Sequence, residues 1–351
     1  MDGVLNVLKP AGMTSFDVVA YLRRLMNIKK IGHCGTLDPA ATGVLPICTG
    51  LATGISEYLG DMRKSYRAEV LFGVMTDSLD TEGAVIRAKR TPSPERADIE
   101  PVLQGFVGRQ LQEPPMFSAV KVGGRRLYEL ARKGVEVQRA PREITVYDVR
   151  LIRVLRNRIV VDIECSKGVY IRSLCGDIGK RLGVDACMSF LIRTSAAGFG
   201  IKDAFTLEDL EKLLIEGRLN EAIMKIDDAL PAFACCSLTK KQLNRFLNGQ
   251  DIELGEIENV THPNEADNAT RPSKVDCAAR SNEAYNVTRP SEGDRSARSS
   301  EGDRSVRPND ISKVYKVYSE NTFYALGAAL PRGGRDVLRL KKLLRKGEPI
   351  T

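Results

Sequence analysis

The sequence predicts an α+β protein of two domains, because both strand and helix patterns occur along the chain. Apolar residues alternate with a period of two in Tyr66–Phe72, which is typical of a half-buried strand, and a second apolar strand covers Ile159–Cys165. Helical spacing of apolar residues follows Thr14. The 351 residues, 42% of them hydrophobic, suffice for two cores.

The first elements are a short strand and a helix. Val4–Leu8 reads as a strand that ends at Lys9-Pro10, and Thr14 or Ser15 can cap a helix that runs to about Met26. Four apolar residues recur at helical spacing and are predicted to lie in the core: Phe16, Val19, Leu22 and Met26.

Composition favours some classes of protein and argues against others. Lys and Arg number 53 against 45 Asp and Glu, a net charge of +8, which suits a polyanionic partner. Eight cysteines include no Cys-x-x-Cys pair and could be joined only by His33 and His262, so we expect no metal site. We expect no signal peptide and no membrane span, because no apolar run reaches about 18 residues. These features predict a reduced, cytoplasmic protein.

The segment from Gly32 to Gly43 presents a lone carboxylate, Asp38, in a glycine-framed loop next to His33. Pro39 pushes Asp38 towards an extended conformation, and the glycines permit backbone angles that a β-carbon would forbid. A tight turn whose Asp caps a helix is the simpler interpretation for a bare Asp-Pro pair.

The longer run Gly-His-Cys-Gly-Thr-Leu-Asp-Pro-Ala-Ala-Thr-Gly-Val-Leu, from Gly32 to Leu45, resembles the active-site motif of the TruB family of tRNA pseudouridine synthases. The resemblance implies that Asp38 is catalytic and that His33 occupies the space vacated by a flipped base. It also implies a mixed, mainly antiparallel β-sheet pseudouridine synthase core with flanking helices, plus a small β-rich PUA-like C-terminal domain. No cofactor is implied.

Four further segments match motifs of that family. Lys9–Ser15 resembles its opening motif, and a strand-to-helix turn is fully compatible with that match. We expect this segment to buttress the Asp38 loop, and Lys9 is a candidate for RNA contact. Lys64-Ser65-Tyr66 implies that the Tyr66 ring stacks on the target base and that its hydroxyl takes part in proton removal. By itself, a tyrosine there would be a core or rim residue.

The third match, Gly168–Arg172, implies that Arg172 pairs with the catalytic carboxylate and offers Tyr170 for substrate binding. A guanidinium is a planar, permanently charged partner for a carboxylate, although a surface arginine without that role is the simpler alternative. The fourth match, Phe190–Phe199, implies that Leu191 packs against the uracil. An isolated leucine is otherwise a core residue.

A basic segment from Glu113 to Gly134 combines prolines, a glycine hinge and clustered cations, including Arg125 and Arg126. It matches the mobile insertion with which TruB-like enzymes clamp the T arm of tRNA, and we place this RNA-clamping insertion at about 104–142. A solvated basic helix is the alternative.

The chain changes character after the catalytic domain, which we place at 1–230. The remainder, 231–351, is assigned to the PUA-like domain, with a helix from about Thr239 to Asn248 and strands from Lys313 to Leu330 around a turn at Glu320-Asn321. Residues 259–310 nearly lack large apolar side chains and contain short repeats, which predicts a disordered, low-complexity insertion.

The sequence thus predicts isomerisation of uridine to pseudouridine in the T loop of tRNA, at position 55, by base flipping and Asp38-dependent breakage of the glycosidic bond. The predicted partner is the T arm of tRNA, with no guide RNA and with the protein as a monomer. Whether Asp38 attacks the base, attacks the sugar or removes a sugar proton is left open. The alternatives are a non-catalytic tRNA-binding or tRNA-folding module and a guide-RNA-dependent synthase.

Overall fold

The computed structural model describes residues 1–91, 94–261 and 313–345. The chain divides into two compact units, Met1–Met224 and Lys225–Thr351. This division precedes by six residues the boundary that the sequence placed at 230. Within the described residues, no helix is both long and apolar enough to cross a membrane.

The first unit is built on one large sheet with helices against it. Its strands are β1 (Gly3–Lys9), β2 (Ile31–His33), β3 (Thr42–Thr49), β4 (Lys64–Phe72), β5 (Val74–Thr76), β6 (Val85–Ala88), β7 (Gly108–Gln112), β8 (Lys121–Val122), β9 (Arg125–Arg126), β10 (Arg142–Leu155), β11 (Arg158–Cys165), β12 (Ala186–Ala196), β13 (Phe199–Gly200) and β14 (Ile223–Met224). Its α-helices are α1 (Ser15–Leu25), α2 (Ser56–Asp61), α3 (Arg96–Gln104), α4 (Leu127–Ala131), α5 (Ile171–Arg181) and α6 (Leu207–Ile215).

The large sheet has the order β14-β1-β3-β12-β4-β11-β10-β7, with β2 beside β3 and β13 beside β12. Its neighbours are antiparallel except β12 and β3, which pair in parallel at the end of the Asp38 loop. The alternation predicted for β4 is present, since Tyr66, Ala68, Val70 and Phe72 are all buried on one face. The predicted mixed, mainly antiparallel fold with flanking helices is therefore confirmed.

Helix α1 begins where the sequence predicts. The Thr14 hydroxyl accepts a hydrogen bond from the backbone N–H of Asp17, and the Asp17 carboxylate accepts one from the N–H of Thr14, so that a complete capping box starts the helix. The buried face carries Val18, Val19 and Leu22.

The prediction that Phe16 lies in the core is wrong, because 65% of its surface is exposed. The residues that face the core in the first turn are Ser15 and Val18. The buried stripe of α1 begins at Ser15, so Phe16, one position later, falls outside it.

The second unit is rich in β-structure, as predicted for the C-terminal domain. Its elements are β15 (Ala234–Ser237), α7 (Lys240–Leu247), β16 (Ile252–Glu253), β17 (Asn259–Thr261), β18 (Val314–Ser319), β19 (Thr322–Arg332) and β20 (Arg335–Leu343). The strand order is β16-β20-β19-β18-β15-β17. The turn predicted at Glu320-Asn321 joins β18 to β19, and both turn residues have positive φ.

The first three residues of the tract predicted to be disordered form a strand. Residues Asn259–Thr261 pair with Cys235–Ser237 as a strand, because edge pairing satisfies their backbone groups without large apolar side chains. The rest of the predicted tract, 262–310, lies outside the described residues.

A glycine at position 43 is required where β3 leaves the Asp38 loop. Its φ is +111°, and an added Cβ would lie 2.2 Å from the carbonyl oxygen of Arg193 on the parallel strand β12. We expect Gly43→Ala to lower the free energy of unfolding by about 3 kcal/mol, since both the backbone angle and the strand contact are disturbed. Urea unfolding measures this loss.

The matched control is Gly32→Ala in the neighbouring β2, where an added Cβ would meet no heavy atom within 4 Å. This variant should unfold within about 1 kcal/mol of the wild type. Equal destabilisation by the two substitutions would contradict the role assigned to Gly43.

Candidate active site

The Asp38 loop, residues 34–41 between β2 and β3, is fastened to the turn that precedes α1. The Ser15 hydroxyl bonds both the N–H and the carbonyl of Leu37, at 2.8 and 3.2 Å. The backbone N–H of Gly12 donates to the carbonyl of Pro39 at 2.9 Å. The residues on either side of Asp38 are therefore fixed through their main chains, while its carboxylate, 39% exposed, is left for other partners.

Arg172 is the principal partner of that carboxylate. Its Nε lies 2.9 Å from one Asp38 oxygen, and its Nη2 donates to the other at 3.2 Å, a two-point contact that fixes the plane of the carboxylate. Arg172 is 5% exposed and lies in the first turn of α5, where the helix dipole disfavours a cation. The ion pair implied by the family resemblance is thus present, and it offsets that unfavourable position.

The same guanidinium also contacts two other segments. Nη1 donates to the carbonyl of Ser78 at 3.1 Å, and Nη2 donates to the carbonyl of Phe117 at 2.9 Å. The Asp80 carboxylate lies 3.6 Å from Nε. Arg172 therefore joins the Asp38 loop, the turn between β5 and β6, and the basic segment that follows β7.

Sequence reasoning missed Asp80. It lies in a turn in which Leu79 has a positive φ of 63°, and its carboxylate is anchored by the Ser78 hydroxyl and by the N–H of Glu82. No apolar periodicity marks such a turn, although two acidic residues three apart, Asp77 and Asp80, could have drawn attention to it.

Three buried cations, Lys9, Lys64 and Arg193, lie behind the loop and bind main-chain carbonyls. Arg193, which is fully buried in β12, donates to the carbonyls of Val44 at 2.7 Å, Gly35 at 3.1 Å and Thr36 at 3.5 Å. Buried charges require such acceptors because their hydration has been lost. The sequence pointed to Leu191 in this motif and not to Arg193, although one arginine in an apolar strand was a usable signal.

Lys9 has a different role from the predicted RNA contact. Its side chain is fully buried, and the ammonium group donates to the carbonyls of Pro10, Met13 and Pro39 at 2.7, 2.6 and 3.1 Å. A phosphate contact would require that ammonium group at the surface, so the prediction is corrected: Lys9 supports the Asp38 loop. Burial lowers the Lys9 pKa to about 8, although the charge of Asp38 acts in the opposite direction.

His33 and Tyr66 both lie close to Arg193. Burial, followed by the positive charge of Arg193, lowers the His33 pKa, so the imidazole is neutral at pH 7. Its Nδ1 has no hydrogen-bond partner among the described residues. Tyr66 is 7% exposed and packs in one apolar cluster with Leu37, Ala41 and Leu191. Burial raises its pKa to about 12, so its hydroxyl is protonated at neutral pH.

An open depression lies directly beside the Asp38 carboxylate. It is lined by Asp38, Ala40, Ala41, Asp80, Thr81, Glu82, Met188, Ser189, Phe190 and Leu191. The structure therefore brings Leu191 together with Asp38. Tyr170 is half-buried at the start of α5, and its main chain exchanges two hydrogen bonds with the Gln112 amide, at 2.8 and 3.1 Å. Within the described residues, no cluster of three His, Cys, Asp or Glu side chains could hold a metal ion.

Only part of the predicted clamping insertion stands apart from the sheet. Strand β7 pairs with β10 inside the large sheet, so the segment outside it is 113–141. This segment, the basic arm, contains the β8–β9 hairpin and α4. Arg125 and Arg126 are exposed on the hairpin, whereas the Phe117 carbonyl of the same arm accepts a hydrogen bond from Arg172.

Known proteins match this chain over most of its length. Residues 23–171 match the N-terminal domain of the TruB family pseudouridylate synthases, and residues 172–231 match the tRNA pseudouridylate synthase B C-terminal domain. The tRNA pseudouridine synthase B of Alkaliphilus oremlandii is 43% identical over 263 residues, which cover 75% of this chain and 86% of that protein. The tRNA pseudouridine synthase B of Clostridium perfringens is 45% identical over 250 residues, covering 71% and 84%.

Solved structures show the same fold. The crystal structure of a Cbf5-Nop10-Gar1 complex matches with a TM-score of 0.68 and 22% identity, covering 98% of this chain and 85% of that one. The fold and the sequence matches together define a pseudouridine synthase, which is an isomerase. The chain belongs to the TruB family of pseudouridylate synthases, as its motifs had implied.

The buried ammonium group of Lys64 gives the site a pH-dependent stability. It donates to the carbonyls of Gly60 and Met62, and burial lowers its pKa from 10.5 to about 8. Between these values the unfolded chain keeps the proton that the folded protein has lost, so stability rises with pH. From pH 7 to 10, we expect the unfolding free energy of the wild type to rise by about 2 kcal/mol relative to Lys64→Met.

Urea unfolding of both proteins at several pH values tests this expectation, because other titrating groups cancel in the difference. A difference that stays constant from pH 7 to 10 would mean that Lys64 titrates in the folded protein as it does in water.

Proposed function

We propose that this enzyme converts the T-loop uridine at position 55 of tRNA to pseudouridine, acting as a stand-alone monomer in the cytoplasm without a guide RNA. The observation that carries the proposal is the Asp38 carboxylate, which Arg172 contacts through both oxygens. Asp38 remains partly exposed and lines the depression. The tRNA pseudouridine synthase B names of the relatives support the choice of substrate.

The target base must leave its loop to reach Asp38, since the N-glycosidic bond of a stacked nucleotide is inaccessible. The uracil enters the depression beside Asp38, with Leu191 against one face and the Tyr66 ring against the other. His33, which is neutral and whose Nδ1 has no hydrogen-bond partner in the described part of the chain, fills or borders the space that the base has left. These four residues surround one nucleotide.

Isomerisation then needs one bond broken and one formed. The bond between N1 of uracil and C1′ of ribose breaks with the participation of Asp38, the base rotates, and C5 bonds to C1′. The proton on C5 leaves and N1 gains one, so atoms balance without an external reactant. Attack of Asp38 on the base, attack on the sugar and removal of a sugar proton all use the carboxylate that Arg172 orients.

Tyr66 is assigned mainly to stacking. A phenol with a pKa of about 12 is a weak base at neutral pH, so its oxygen can take the C5 proton only while passing its own proton to another acceptor. The ring itself needs no ionisation to stack on uracil.

The basic arm and the second unit are proposed to hold the tRNA outside the reaction centre. Arg125 and Arg126 are exposed cations suited to the phosphates of the T arm. The β-rich second unit is proposed to be a PUA-like domain that contacts the acceptor side of the tRNA.

Release of tritium from C5-labelled uridine in an unmodified tRNA transcript tests the proposed function. With no cofactor and no other RNA added, the wild type should release about one equivalent, and Asp38→Ala should release none above background. Binding of the transcript by both proteins is measured in parallel as a control for folding. Absence of release by the wild type, with tRNA still bound, would favour a non-catalytic tRNA-binding module. Release only after addition of a guide RNA would favour the guide-dependent alternative.

A further inference from the structure

Phe190 is a large aromatic side chain that the core does not use. It lies in β12 between the half-buried Ser189 and the buried Leu191, and 48% of its surface is exposed. Leu191 beside it is buried in the cluster that contains Tyr66, and Met188 is buried two residues earlier. Phe190 is therefore an aromatic side chain that is available for contact outside the core.

A β-bulge sets the position of Phe190. Met188 pairs with Val70 and Phe190 pairs with Glu69, so Ser189 is the extra residue on β12. Its hydroxyl donates to the Glu69 carboxylate at 2.7 Å, which holds the bulge in place. Bulges re-aim neighbouring side chains and often occur beside active sites.

The bulge is also tied to the turn that carries Asp80. The N–H of Met188 donates to the carbonyl of Leu79 at 3.0 Å, and the N–H of Thr81 donates to the carbonyl of Met188 at 3.1 Å. Phe190 is therefore held on the rim of the depression that Asp38 and Asp80 line.

The charge of the residues that line the depression determines which chemical groups can approach Phe190. Three acidic residues line it, Asp38, Asp80 and Glu82, and among the described residues no lysine or arginine does. Arg172 lies against the carboxylates of Asp38 and Asp80, but one cation does not neutralise three acidic residues. Such a lining disfavours a phosphate relative to an uncharged nucleobase. An exposed aromatic ring beside it offers the π face on which a base stacks.

We propose that Phe190 stacks on a nucleobase that flanks the target uridine, and that it thereby holds the RNA in position while the uridine occupies the depression. The inference rests on the proposed function and deepens it, since it adds a substrate-binding residue beyond those that the family motifs supplied. It concerns a base and not the backbone, because the acidic lining disfavours phosphate.

The test uses a T-arm stem-loop RNA in which each base flanking the target is replaced, one at a time, by an abasic nucleotide. For the wild type, the abasic change at one flanking position should raise KM for tritium release about 10-fold, with kcat changed little. Phe190→Ala should raise KM by a similar factor on the intact RNA. The abasic change at that position should then have no further effect on Phe190→Ala, because both changes remove the same contact.

Two more variants separate stacking from folding. Phe190→Trp keeps an aromatic ring and should bind the intact RNA within about twofold of the wild type, whereas Phe190→Leu keeps apolar volume and should resemble Phe190→Ala. Ile215→Ala removes an exposed apolar side chain at the end of α6 and should leave KM unchanged.

Wild-type KM for Phe190→Ala and Phe190→Leu would overturn the inference while leaving the proposed function intact. Equal effects of the abasic changes on the wild type and on Phe190→Ala would overturn it as well. Failure of the wild type itself to release tritium would instead count against the proposed function, so the two failures are distinguishable.

Discussion

The two-point ion pair between Arg172 and Asp38 is the contact on which the rest of the site depends. One guanidinium, presented by the first turn of α5, meets the Asp38 loop, the Ser78–Asp80 turn and the basic arm through Phe117. Each of these segments is a connection outside the large sheet, so the hydrogen-bond ladder of the sheet does not fix its conformation. A planar group with five donors can align several acceptors at once, which an ammonium group cannot do.

The conformation of the Asp38 loop is fixed because side chains from other segments hydrogen-bond its main-chain groups. Lys9 donates to the Pro39 carbonyl on one side of Asp38, and Arg193 donates to the Gly35 carbonyl on the other. The Ser15 hydroxyl bonds both the N–H and the carbonyl of Leu37. Buried cations are costly unless every donor finds an acceptor, so these contacts commit the loop to one conformation. The carboxylate is thereby pre-oriented before RNA arrives, which is how a site reduces the cost of reorganisation during reaction.

Much of the fold could be predicted from local pattern. The period of two in β4 predicted its buried face, and Thr14 and Thr239 start helices with complete capping boxes. The C-terminal hairpin followed from the turn residues Glu320-Asn321. These features depend on neighbours in sequence, which is why a single sequence reveals them.

The site could be predicted only where a motif marked it. Asp38 stood out through its glycine-framed loop, whereas Asp80 becomes relevant only after folding brings it within 3.6 Å of Arg172. Lys9 became a candidate for RNA contact through the family resemblance. Its burial depends on two carbonyls in the turn that follows it, those of Pro10 and Met13, and on the Pro39 carbonyl, which only folding brings near. Phe16 and Phe190 likewise show that exposure of an aromatic residue is a tertiary property.

The central claim is that Arg172 acts through the geometry of its guanidinium and not through its charge alone. The single-turnover rate of pseudouridine formation by Arg172→Lys, measured with enzyme in saturating excess over a tRNA transcript, tests it most directly. The account predicts a fall of about 100-fold or more with tRNA affinity nearly unchanged, because lysine keeps the charge but cannot hold both Asp38 oxygens and the Ser78 and Phe117 carbonyls together. A rate equal to that of the wild type would contradict it.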